Sequence, residues 1–267
     1  MKLAIGFAVT ALLVVGLIAV ARSDEGSNLA KYTVGNEKSG YVYASPDTRA
    51  MQDDDFSNPG FLWIERGKTL WNTPYGAAGK SCATCHGAAA TSMKGVGAKY
   101  PVFDAAQGKV IDIEQRINLE RTTRMGAAPF PWESRDLLAM TAYVKLQSRG
   151  MPVAVTTSGP AKVFWLEGKR FYDTRRGQLD MSCEQCHVQN NNNKLRSNTL
   201  SQGQINGFPT YRLKWQSLGS VQRRFRGCNK KVRAEPLPYG SQEYVDLELY
   251  VASLGQGLPV ETPAVRQ

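Results

Sequence analysis

Cys82-Ala83-Thr84-Cys85-His86 and Cys183-Glu184-Gln185-Cys186-His187 both read C-x-x-C-H. That spacing is the attachment signature of c-type haem. The two thiols form thioethers with the porphyrin vinyl groups, and the histidine that follows places an imidazole under the iron. One turn of chain therefore presents all three groups to one face of the ring. A lone C-x-x-C would also suit a redox disulfide or half a zinc site. Here the chain holds two histidines in all, and each ends one of the motifs. The sequence thus predicts two covalently bound haem c groups, attached through Cys82, Cys85, Cys183 and Cys186, with His86 and His187 as axial iron ligands.

The surroundings of the two motifs repeat. Gly67-Lys68-Thr69-Leu70-Trp71-Asn72-Thr73 precedes Cys82, and Gly168-Lys169-Arg170-Phe171-Tyr172-Asp173-Thr174 precedes Cys183, at an offset of 101 residues. Further on, Tyr143-Val144 and Gly150-Met151-Pro152-Val153 match Tyr250-Val251 and Gly257-Leu258-Pro259-Val260 at an offset of 107. Six residues are therefore extra in the second copy, and the polar run 190–193 is a plausible part of them. An internal repeat of this kind sets the architecture: a helix into the haem turn, an irregular stretch around the haem, and a closing helix. Leu137, Met140, Tyr143 and Val144, and likewise Tyr244, Leu247, Tyr250, Val251 and Leu254, share one helical face. They read as core, and Gly and Pro after each helix read as stop signals. The expected fold is mainly α, with two tandem class I-like cytochrome c domains related by internal duplication. Residues 61–152 form the first domain, 153–161 a linker, 162–267 the second domain, and 22–60 an N-terminal extension.

Residues 1–21 carry Lys2, then an uncharged apolar run from Leu3 to Val20, then the small-x-small site Ala19-Val20-Ala21. This is the pattern of a secretory signal peptide, cut after Ala21 or Ser23, and it places the protein in the periplasm. The competing reading is an uncleaved anchor, since about 18 apolar residues just span a bilayer. The chain has 267 residues, 42% of them hydrophobic, which excludes a disordered chain and leaves room for two small domains. Its formal charge of +10 suits an acidic protein partner or an anionic substrate. Export argues against nucleic acid.

No histidine remains for the sixth iron positions. An odd thiol, Cys228, lies in the stretch 223–233, where six of eleven residues are Arg or Lys. Positive charge favours a thiolate, which is both an iron ligand and a nucleophile. Cys228 is thus the candidate axial ligand of the second haem, against the alternative of an inert cysteine in a solvated basic loop. For the first haem, Met93, Met125, Met140 and Met151 all follow the motif. Met140 falls on a core face, and Met125, ahead of Gly126 and Pro129, is the candidate axial ligand, with a five-coordinate iron as the alternative.

Several stretches resemble the SoxA family, the dihaem subunits of the SoxAX cytochromes of bacterial sulfur oxidation. They are Arg223-Arg224-Phe225-Arg226-Gly227-Cys228-Asn229, Val232-Arg233-Ala234-Glu235-Pro236, Gly240-Ser241-Gln242-Glu243-Tyr244 and Leu247-Glu248-Leu249-Tyr250, with Trp132-Glu133-Ser134 and 146–150 in the first repeat. The resemblance runs from about residue 40 to the end. It implies a thiosulfate-oxidising L-cysteine S-thiosulfotransferase that works with a monohaem SoxX-type subunit. Such an enzyme couples thiosulfate to a cysteine of a SoxYZ-type carrier and passes two electrons to a cytochrome c acceptor. By the same resemblance Cys228 is the catalytic cysteine, able to carry a persulfide, and Arg224 binds the substrate. A guanidinium fork suits a small dianion such as thiosulfate. The family places a further axial cysteine where Glu120 stands here, and a carboxylate is a poor ligand for low-spin haem iron. The competing readings are a dihaem electron carrier without chemistry of its own and a tetrathionate-forming thiosulfate dehydrogenase.

Overall fold

Short polar residues open most of the helices. Ser45 caps α1 (Pro46–Asp53), Ser81 caps α3 (Cys82–His86), Asp112 caps α4 (Ile113–Arg124), Ser134 caps α5 (Arg135–Leu146) and Ser220 caps α7 (Val221–Lys231), each accepting a backbone N–H three residues on. In α3 and α4 the third helical residue reaches back as well, Thr84 to Ser81 and Gln115 to Asp112. The remaining long helices are α2 (Phe61–Asn72), α6 (Lys162–Asp173) and α8 (Gln242–Leu254). This computed structural model describes residues 29–195 and 198–267. The predicted signal peptide lies outside the described residues. Among them no helix is long and apolar enough to cross a membrane.

Two helix pairs form the frame, α2 against α5 and α6 against α8. Each pair touches backbone to backbone at a glycine. A Cβ on Gly67 would stand 2.2 Å from the Ala139 carbonyl oxygen, and one on Gly168 would stand 2.0 Å from that of Asp246. The glycine that opens each G-K repeat is thus the crossing point of its helix pair. Gly168→Ala is expected to lower stability by about 1–3 kcal/mol through overpacking. Chemical denaturation checks this, and an unchanged midpoint would show that the helices can part there without cost.

The N-terminal extension carries the hairpin β1 (Thr33–Val34) with β2 (Glu37–Lys38), and a two-stranded hairpin precedes the next helix in each unit: β3 (Val102–Asp104) with β4 (Lys109–Ile111), and β7 (Thr210–Arg212) with β8 (Ser217–Gly219). Val102 and Thr210 are 108 residues apart, as are the caps Asp112 and Ser220. The offset is 101 at the haem motifs and 107 at the closing helices. The insertion therefore falls wholly between motif and hairpin, and one residue is lost again in α7. Asn190 and Asn193 belong to that inserted stretch, which leads into the hairpin β5 (Lys194–Leu195) with β6 (Asn198–Thr199).

The two Gly-x-Pro-Val tails pair with each other. Gly150 N–H donates to Val260 O (2.8 Å), Val260 N–H to Met151 O (2.9 Å), and Val153 N–H to Leu258 O (2.9 Å). Val153, Val155 and Ala161, in the stretch expected as a linker, are buried in the second core. A third core joins both units: Ile64, Leu138 and Ala142 pack on Tyr211, Leu218 and Val265. This explains a departure from the sequence reading. The periodicity predicts one buried face on each closing helix, but 137–142 and 244–252 are buried without a break. Both helices sit at the seam, covered by their own unit and by the other.

The N-terminal extension is tied to the chain's end. Gln52 donates to Glu261 Oε2 (3.0 Å), Asn58 donates to Pro263 O (2.8 Å), and Ser39 donates to Glu261. The strand β9 (Ala264–Arg266) runs parallel to β7. The extension also braces the loop after the second motif, with Gln202 donating to Asn36 O (2.9 Å) and Gln204 to Glu37 Oε2 (2.6 Å).

Candidate haem and thiolate site

The second motif folds as a π-helical turn, Gln185–Gln189, after a cap in which Ser182 and Gln185 satisfy each other's backbone N–H groups. His187 Nδ1 donates to Ser201 O at 2.8 Å. A carbonyl only accepts, so the proton sits on Nδ1 and Nε2 is left as a donor atom for a metal. Gly203, at φ +82°, lies flat on the ring, where a Cβ would be 2.9 Å from both Cγ and Nδ1. The braced loop 201–203 thus fixes the imidazole from behind.

Cys228 meets this imidazole from α7. The stretch read as a basic loop is this helix, which starts at a serine cap the sequence reading passed over. Cys228 lies beside His187, and Cys183 and Cys186 lie close enough to feel the Cys228 charge. Burial pushes the Cys228 thiol up, but its neighbours, Arg224 first, then His187 and Lys231, outweigh it. The net result is about 6. Burial instead pushes Cys183 up to about 12 and raises Cys82 and Cys186.

Helical spacing sorts the basic cluster. Arg224, Cys228 and Lys231 follow one another at i, i+4 and i+7, one face of α7. Arg223 turns away to stack on Trp215 (4.3 Å) near Glu133 (3.9 Å), and Arg226 lies over Tyr239 (4.6 Å) and donates to Leu237 O. A further cation, Arg212 of β7, joins Arg224 and Cys228. Burial and the Arg224 charge lower its pKa to about 10, with Cys228 opposing. Arg212 was not legible in the sequence, because only strand pairing brings it to the α7 face.

The first site is built differently. Trp71 Nε1–H donates to Gly87 O (2.9 Å), and its ring lies 5.8 Å from that of His86. Counted from the helix cap, Glu120 of α4 matches Cys228 of α7. Yet Glu120 faces outward, paired with Arg116 (3.2 Å) and Arg124 (4.0 Å). The inward residue is Arg121, buried, with its guanidinium 3.6 Å above the Phe130 ring and its charge felt by Cys82. The one-residue difference between α4 and α7 explains the swap, since Arg121 matches Cys228 when counted from the helix end. Met125 is buried at the C-cap of α4, and its carbonyl accepts from Ala78 N–H (3.1 Å).

No two of the five cysteines are joined in a disulfide. Among the described residues no three His, Cys, Asp or Glu side chains converge to hold a bare ion. The donor set is of another type: two thiols one turn apart for a porphyrin, and an imidazole nitrogen facing a thiol for the two axial positions of one iron. It fits a haem.

A family model described as SoxA/TsdA, cytochrome c domain, matches residues 66–153 and 167–260. The fold and the donor set accordingly define a haem c-binding cytochrome c. The chain is 48% identical over 229 residues to the L-cysteine S-thiosulfotransferase subunit SoxA of Rhodovulum sulfidophilum, covering 86% of this chain and 80% of that protein. It is 45% identical to the SoxA subunit of Paracoccus pantotrophus, covering 85% and 78%. The crystal structure of SoxXA from P. pantotrophus superposes with a TM-score of 0.85 at 44% identity, covering 90% of each chain. This chain belongs to the SoxA family.

Proposed function

We propose that this chain is the thiolate-bearing subunit of an L-cysteine S-thiosulfotransferase. It works in the periplasm after removal of residues 1–21, beside a SoxX-type monohaem subunit. Two units related by internal duplication, 61–152 and 162–267, each carry one covalent haem c, attached through Cys82 and Cys85 and through Cys183 and Cys186. His86 would hold the first iron, and His187 and Cys228 would together hold the second. The observation that supports this best is the Cys228 thiol facing His187 with Arg224, Lys231 and Arg212 gathered around it.

The reaction joins the outer sulfur of thiosulfate to a cysteine sulfur of a SoxYZ-type carrier. One carrier thiol and one thiosulfate dianion give one S-thiosulfonate anion, one proton and two electrons. When bound, haem c supplies the oxidising centre through which the electrons leave for a cytochrome c acceptor. Arg224 takes the sulfonate oxygens through its guanidinium fork. Cys228 is the sulfur nucleophile, held as thiolate by the cations around it and able to carry a persulfide. The test is product analysis with thiosulfate and an electron acceptor. Carrier-bound thiosulfonate is expected only when carrier is present. Tetrathionate formed without carrier, or no thiosulfate consumption at all, would overturn the assignment.

The two sites differ in donor set, so the haems should differ. With Glu120 paired to Arg116 and Arg124, Met125 would be the residue of this chain to hold the first iron opposite His86, or that iron would stay five-coordinate. Methionine raises a haem potential and thiolate lowers it. Electron paramagnetic resonance of the oxidised protein is expected to show one low-spin thiolate signal and either a His/Met signal that is lost in Met125→Ala or the high-spin signal of a five-coordinate iron. Two thiolate signals would refute this arrangement.

A further inference from the structure

The seam between the two units buries titratable groups that take no part in the sites above. Asp112 and Glu114 stand at the start of α4, Lys145 in the last turn of α5, and Glu248 in the middle of α8. Asp112, Glu114 and Glu248 are 0%, 5% and 7% exposed. Gln222 of α7, 1% exposed, is their connector. Its amide donates to Asp112 Oδ2 (2.8 Å) and hydrogen-bonds Glu248, and its carbonyl accepts from Gly240 N–H (2.7 Å). Gln222 is two residues before Arg224 and six before Cys228. The cluster is thereby fastened to the helix that carries the thiolate, and through Asp112 to the helix that borders the first site.

Three carboxyls face one amine, an imbalance the surroundings do not correct. Lys109 acts on Asp112 from one side, but Glu133 adds negative charge near Glu114 from another. Tyr100, Lys145, Asn206 and Glu248 line a cavity of about 20 Å³ at the same place, room for one water. Asn206 Oδ1 is buried there without a hydrogen-bond partner. Burial raises Asp112 to about 7. Burial and the Asp112 charge raise Glu114 to about 8, and burial with both neighbouring carboxyls holds Glu248 well above the usual carboxylate range. Burial lowers Lys145, against the pull of Glu248 and Glu114.

We propose that Asp112, Glu114, Lys145 and Glu248 form a proton-binding site at the seam, which takes up a proton when electrons enter the two haem units. An added electron makes the interior more negative, and in a weakly screened interior that charge raises the proton affinity of buried carboxyls. The linkage is reciprocal: a proton held in the cluster favours the reduced state, and its loss as pH rises favours the oxidised state. The site buffers the negative charge that reduction leaves on the chain.

The inference rests on haem c binding but not on the transferase reading, and its test needs neither thiosulfate nor carrier. The experiment is a spectroelectrochemical titration of the holoprotein at a series of pH values across the interval from about 7 to about 8. The midpoint potentials are expected to fall as pH rises. Glu248→Gln and Glu114→Gln should flatten that dependence, and the exposed Glu65→Gln should keep it. Reduced-minus-oxidised infrared spectra of the unaltered protein should gain the carbonyl band of a protonated carboxyl. Potentials independent of pH, a slope unchanged in both seam variants, or no carboxyl band on reduction would each overturn the proposal. The infrared result decides alone if the variants fail to fold.

Discussion

Cys228→Ala is expected to abolish thiosulfate coupling, a loss on the order of a thousandfold or more, while both haems stay attached. The four thiols proposed to attach the haems are Cys82, Cys85, Cys183 and Cys186, and none depends on α7 for its place in its own turn. Cys228 is the thiol on which the local field converges, drawn down to about 6 while burial drives Cys183 up to about 12. Alanine removes the sulfur but leaves Arg224, Lys231 and Arg212 in place, so anion attraction survives without the reacting group. Cys228→Ser restores an oxygen of similar size, but a hydroxyl is far less acidic than a thiol and a weaker partner for iron, so it should not rescue. Turnover measured after confirming full haem content checks this. Near-normal turnover in either variant would remove Cys228 from the mechanism.

The two C-x-x-C-H motifs were legible because they are local: five consecutive residues hold two thiols and an imidazole, and no tertiary contact is needed to read them. The cationic surroundings of Cys228 were legible for the same reason. That they fold as a helix was obscured by a low content of apolar residues between 221 and 231, although Ser220 supplied the cap signal. What the sequence could not give depends on pairing at long range. Arg212 comes within electrostatic range of Cys228 through the pairing of its strand with Ser217 and Arg266, while its guanidinium donates to Gln267 O (2.8 Å). Gln222 reaches Asp112 across 110 residues. The full burial of 137–142 and 244–252 follows from two units covering each other, which helical periodicity within either unit does not reveal. The choice between Glu120 and Arg121 as the inward side chain turns on one residue of helix length, below what matching two distant repeats can resolve.

Arg224→Ala is expected to reduce kcat/KM for thiosulfate by roughly tenfold to a hundredfold, and Arg226→Ala by much less. The two arginines share a helix and a charge, so composition alone cannot rank them. Their positions can. Arg224 lies one turn before Cys228 on the same face and is the largest of the charges that favour its thiolate. Arg226 is spent elsewhere, over the Tyr239 ring and against the Leu237 carbonyl. Removing a charge-assisted contact costs about 1.5–3 kcal/mol, which converts to the stated range in kcat/KM. Arg212 and Lys231 keep part of the field around Cys228, so the loss stops short of abolition. Arg224→Lys separates charge from shape: if lysine restores only part of the rate, the planar fork matters as well as the positive charge. Steady-state kinetics on the three variants decide the matter, and equal, small losses in Arg224→Ala and Arg226→Ala would mean that the cluster acts as a diffuse field with no specific substrate arginine.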